Sequence, residues 1–132
     1  MLEFGLSLLF GFIVNNVVGT LVARFIANPL TRDVMSEFER KKGEIKLPPI
    51  LGGYFLLTLI MVLGYPYFGL EANWLIKGTI WGLFSGGMSF VSIYLIISGW
   101  SILPPKQMLI SGIIDMLSTV ATGIVIAYIY SF

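Results

Sequence analysis

The chain has 132 residues, 57% of them hydrophobic and 11% charged, with a mean hydropathy of +0.92 and a net charge of +1. That is more apolar surface than one soluble core can hide, and the charges gather in one stretch, so a soluble globular domain is excluded and lipid is the expected solvent. Cysteine and histidine are both absent, which removes thiolate nucleophiles, disulfides, imidazole bases and the usual ligands of zinc, copper and haem, so neither a metal nor another cofactor is expected.

A helix rising about 1.5 Å per residue needs roughly 20 apolar residues to cross a bilayer, and its backbone groups are bonded internally. The first such run covers residues 4–27. Glu3 is its only charge before Arg24, and with no basic segment ahead of it the run reads as a retained helix, not a removed signal peptide. Next, Asn28 suits an N-cap and Pro29 a first helical position; Asp33 would sit near the positive end of the helix dipole, Arg40, Lys41 and Lys42 near its negative end, and Gly43 would close it. With Leu30, Val34, Met35 and Phe38 on one side, this segment is expected to be a short interfacial helix on the cytoplasmic lipid surface. Glu37, Glu39 and Glu44 dilute its positive field.

The second run, 50–68, follows Pro48-Pro49 and ends around Tyr65-Pro66 and Gly69. The third, 74–98, holds Gly78, Gly82 and Gly86 at every fourth residue, with Ser85, Ser89 and Ser92 assigned to the same side. Linked G-x-x-x-G units let another backbone approach closely, either within the chain or in a homodimer. The fourth, 107–130, follows Pro104-Pro105 and carries Asp115, with Ser111, Ser118, Thr119 and Thr122 on the same helical face. A charge deep in a bilayer is costly, so Asp115 should point inward to a partner or take up a proton. Counting about 1.5 Å per residue puts Asn15, Asn16, Ser89 and Asp115 all roughly 12–18 Å deep, a candidate polar layer completed by Ser118 and Thr119. Arg24 is a candidate ion-pair partner for Asp115. Tyr65, Tyr67, Trp74, Tyr128 and Tyr130 at one interface and Trp100 at the other read as lipid-headgroup anchors.

Residues 1–132 therefore read as one domain, an all-α polytopic bundle of four transmembrane helices with a short cytoplasmic helix between the first two. Gly78-x-x-x-Gly82-Leu83, Gly99-Trp100 and Asp115-Met116 resemble uncharacterised small four-helix bacterial membrane proteins, a resemblance that spans under half the chain and implies a fold but no activity. Without His, Cys or paired carboxylates in the spans no enzyme is expected. The expected function is that of a homo-oligomer or an accessory subunit of a larger membrane complex, and the alternative is a small transporter or channel with a proton or cation site at Asp115. Expected partners are membrane lipid and itself or another membrane protein, with no nucleic acid.

Orientation follows from the basic residues. Arg24, Arg32, Arg40, Lys41, Lys42, Lys46 and Lys106 fall on one side and Lys77 alone on the other, which places loop 28–49 in the cytoplasm and both termini outside the inner (plasma) membrane. Reporters fused after Phe132 and inserted between Glu37 and Glu44 should report the outside and the cytoplasm respectively. An outside signal from the loop would reverse the topology.

Overall fold

The computed structural model describes residues 1–38 and 42–132, the side chains of Met35 and Lys42 excepted. Glu39, Arg40 and Lys41 of the charged loop lie outside the described residues, so the closing positions expected of them are not placed. The described residues form helices and turns with no strand: α1 (Leu2–Val22), α2 (Asn28–Met35), α3 (Leu47–Gly64), α4 (Trp74–Gly86), α5 (Ser92–Trp100) and α6 (Pro105–Ile129). Among the described residues four continuous helices are long and apolar enough to cross a membrane: Leu2–Val34, Leu47–Tyr67, Trp74–Trp100 and Pro105–Ile129.

The first of these corrects the sequence reading. Residues 28–35 are helical, but they continue the helix of α1 and do not start a separate one at Asn28. Asn28 has helical angles, φ −56° and ψ −48°, and caps nothing. A proline inside a helix lacks an N–H and crowds the carbonyl four residues back. Here the turn Ala23–Ala27 is a π-turn, in which the Asn28 N–H bonds the Ala23 carbonyl. That wider turn makes room for Pro29 and carries the helix past it. Thr31 Oγ1 adds a 2.8 Å bond to the Ala27 carbonyl. The 33-residue helix is about 50 Å long, more than a hydrocarbon core of about 30 Å, so one end projects beyond the span.

The third span also contains a π-turn, Gly87–Val91, between α4 and α5. Both the backbone N–H of Ser92 and its Oγ donate to the Gly87 carbonyl, the latter at 2.9 Å. One extra residue in a turn displaces every later residue on the helix face. Buried Gly78, Gly82 and Gly86 are followed on the inner side by Val91, Tyr94 and Ser98. An uninterrupted helix would turn Ile93 and Ile97 inward instead. Ser92, assigned to the glycine side from its spacing, is consequently exposed.

Helix α6 is the centre of the bundle, packed most extensively against α4 and α1 and also against α5. The glycine stripe is consumed in this contact. A Cβ on Gly78 would stand 2.7 Å from the Gly123 carbonyl oxygen and 2.8 Å from Ile124 Cα; one on Gly82 would stand 2.5 Å from the Thr119 carbonyl oxygen. At Gly86 it would strike the Thr119 and Met116 side chains, and at Gly123 it would come within 2.9 Å of the Gly82 nitrogen. These are mostly backbone atoms that cannot step aside. The stripe is thus an intramolecular seam, occupied by α6 and closed to a homodimer. Thr119 Oγ1 bonds the Gly82 carbonyl across it at 2.9 Å.

Helix α3 leans chiefly on α1, and reaches the rest near the end that holds the termini, where Met61, Val62 and Tyr65 cluster with Ile126 and Ala127. Trp81 Nε1 donates to the Met61 carbonyl there at 3.1 Å. Elsewhere α3 stands off from α4 and α5. The outer surface is apolar, with Leu9, Phe10, Ile13, Val17 and Leu21 of α1 all exposed, as suits a bundle held together by close packing in hydrocarbon.

Gly82→Leu should lower stability by at least the roughly 1–3 kcal/mol typical of overpacking, seen as a reduced unfolding temperature of the purified protein. Gly52→Ala, whose Cβ would meet nothing within 4 Å, should leave it unchanged. Equal stability of Gly82→Leu and wild type would mean the seam does not hold the bundle.

Candidate functional site

The polar residues expected to share one layer have separate partners. On α1, buried Asn15 donates from Nδ2 to Thr58 Oγ1 of α3 at 3.1 Å, and Thr58 Oγ1 passes its own proton to the Tyr54 carbonyl at 2.8 Å. Asn15 Oδ1 and the buried Ser7 Oγ have no hydrogen-bond partner among the described residues. Asn16 is half-buried and turns back to the Phe12 carbonyl at 2.8 Å. On α6, Ser118 donates to the Asp115 carbonyl at 2.8 Å, while Thr119 shares its proton between the Met116 carbonyl and Gly82. These hydroxyls satisfy themselves on backbone and leave nothing for Asp115.

Asp115 itself accepts a 2.8 Å hydrogen bond at Oδ2 from Tyr94 Oη of α5. Arg24 is not brought to it. The Arg24 side chain is exposed and its guanidinium lies 5.6 Å from the centroid of the adjacent Phe25 ring. Among the described residues, then, the carboxyl group has a neutral phenol as partner and no cation. Tyr54 of α3 lies against α1, where a Cβ on Gly19 would stand 2.7 Å from its Oη. All three side chains are half-buried.

Tyr94, Tyr54 and Thr58 were not among the residues singled out from the sequence, where tyrosines were read as interfacial anchors. One signal was available. Tyr54 lies seven residues beyond Leu47 and Tyr94 six before Trp100, so both sit about 10 Å inside the ends of their helices, deeper than a headgroup anchor. A phenol that deep needs a hydrogen-bond partner. The side of the helix on which Tyr94 falls, by contrast, depends on the π-turn and is not readable from spacing.

Beside the pair, the gap between α3 and the π-turn opens into a groove of about 400 Å³, lined by Pro49, Gly53, Tyr54, Leu57, Ser89 and Phe90 among others. A second hollow of about 220 Å³ shares Leu57, Ile60 and Ser89 with it and extends it toward Trp81 and Ser85. Ser89, expected in the polar layer, is therefore on the groove wall and not in the bundle core. The Phe90 ring packs edge-on against Tyr94 with centroids 6.1 Å apart. Phe90 and Tyr94 thus connect the groove to the carboxyl group.

Compared with known proteins, the chain matches no family model, no curated protein and no solved structure. The reading of the site rests on its own chemistry. Among the described residues no three Asp or Glu side chains gather where they could hold a metal ion. One carboxyl group, two phenols and an apolar groove are what this arrangement offers a ligand.

Tyr94→Phe keeps the ring and removes only the bond to Asp115. It should lower the unfolding temperature by an amount equivalent to about 0.6–2 kcal/mol, the range for interhelical hydrogen bonds in lipid, and shift the infrared band of the Asp115 carboxyl group. An unchanged band would show that the two groups are not bonded.

Proposed function

We propose that the protein is a small non-enzymatic integral membrane protein, inserted in the inner (plasma) membrane with loop 28–49 on the cytoplasmic side, that carries a proton or a cation at Asp115. The observation that supports this reading is the company Asp115 keeps. The side chains that could have tied it up structurally are engaged elsewhere: Asn15 with Thr58, Asn16 with its own helix, Arg24 beside Phe25. An ionised carboxylate among apolar helices is costly, by about 2.5–3.5 kcal/mol on insertion scales. With only a neutral phenol beside it among the described residues, its charge is relieved by a proton or by a cation. Intramembrane acids so placed mark ion and proton pathways.

A second reading, an accessory subunit or homo-oligomer, is supported by a different observation. Gly5, Gly52 and Gly99 lie on the exterior with nothing within 4 Å of where a Cβ would be. Such small exposed residues let a helix of another copy or another membrane protein approach closely. The filled glycine seam offers no such opening.

Reconstituted vesicles separate the two readings. Wild type should pass H⁺, Na⁺ or K⁺ down an imposed gradient, and Asp115→Asn, nearly isosteric but unable to carry a charge or exchange a proton near neutral pH, should fold normally and lose flux at least tenfold. Full flux through a folded Asp115→Asn protein would overturn the carrier reading. No flux for any of the three ions, with the purified particle larger than one chain, would put the subunit reading in its place.

A further inference from the structure

The groove between α3 and the π-turn Gly87–Val91 is more than a gap between helices. Its volume of about 400 Å³ falls in the range of small-molecule sites, roughly 300–1,000 Å³. A helix about 10 Å across would need a longer and wider trough. Its walls are aliphatic along α3, through Ile50, Leu57 and Ile60, and aromatic at Tyr54 and Phe90. None of the described residues lining it is basic, so among them the anionic headgroup of a phospholipid finds no counter-charge. Asp115 lies behind the groove's aromatic end, bonded to the Tyr94 ring on which Phe90 packs.

Aromatic faces attract cations through their quadrupoles, and a carboxylate adds the full countercharge in a medium that weakens it little. We infer that this groove binds a hydrophobic organic monocation, which enters sideways from the bilayer with its charge at Tyr54 and Phe90 toward Asp115 and its apolar groups along α3. The inference rests on Asp115 being a cation site and names the class of cation. A compact hydrated ion would be selected by a polar cage; this groove is instead mostly apolar, and selects for an ion that is itself apolar outside its charge. Phe90 lines the groove and packs on Tyr94, which bonds Asp115, so a bound cation and a proton at Asp115 would compete.

Tetraphenylphosphonium and tetraphenylborate share a shape and differ in the sign of the charge, which makes them the probes. Radiolabelled tetraphenylphosphonium should bind the protein in nanodiscs saturably, above the level of empty discs. Excess tetraphenylborate should fail to displace it. Asp115→Asn should weaken binding at least tenfold, and so should Gly53→Leu, which fills the groove at a position where a Cβ meets nothing within 4 Å. Displacement by tetraphenylborate as well as by unlabelled phosphonium would make the groove an apolar, lipid-filled crevice and overturn the inference. Absence of saturable phosphonium binding in wild type would also overturn it, while an Asp115-dependent flux of H⁺, Na⁺ or K⁺ in the same preparation would leave the carrier reading standing.

Discussion

Everything in this bundle depends on the close approach of α4 to α6. In hydrocarbon there is no hydrophobic force to press two apolar helices together, so association rests on van der Waals contact and on whatever hydrogen bonds cross the interface. Gly78, Gly82 and Gly86 on one side and Gly123 on the other remove the side chains that would hold the backbones apart. With the backbones this close, Thr119 reaches the Gly82 carbonyl and locks the register at 2.9 Å. The α4–α6 pair is then the platform on which α1 and α5 are laid, and α3 is attached to it mainly through α1.

The two π-turns decide what that platform presents. Each inserts one residue into an otherwise regular helix, and each has an identifiable cause or consequence. At Ala23–Ala27 the wider turn accommodates Pro29, so a segment with the marks of a helix start becomes a helix continuation. At Gly87–Val91 the extra residue moves the inner face from the Ile93 series to the Tyr94 series. That shift brings a phenol to Asp115 and sets Ser89 and Phe90 along the groove. π-Turns are often found at functional sites, and here the turn, the carboxyl group and the groove adjoin one another.

The candidate site was legible in part. Asp115 stands out in the sequence because an acid in an apolar run has few innocent explanations, and buried Asn15, Ser118 and Thr119 follow from their helical spacing and depth. What could not be read was which of these groups would meet. Depth places residues along a helix but says nothing of the angle between helices, so a similar count along two helices did not bring Asn15, bonded to Thr58, together with Asp115, bonded to Tyr94. Ser118 and Thr119 spend their protons on backbone carbonyls one turn away, a local alternative that competes with any cross-helix network.

Composition and hydropathy by themselves determined the number and place of the apolar helices, because the bilayer's thickness sets their length and the lack of water forces every backbone group into an internal hydrogen bond. The sequence also determined that the third span would be a packing helix, since small residues at every fourth position have one obvious use in lipid. Tertiary structure alone decided that α6 is the helix received by that stripe, that Asn28 continues α1, and that Tyr94 is the partner of Asp115. The reason is the same in each case: these outcomes depend on the rotation of one helix relative to another, and a single inserted residue changes that rotation by about 100° without leaving a mark in the periodicity of the chain.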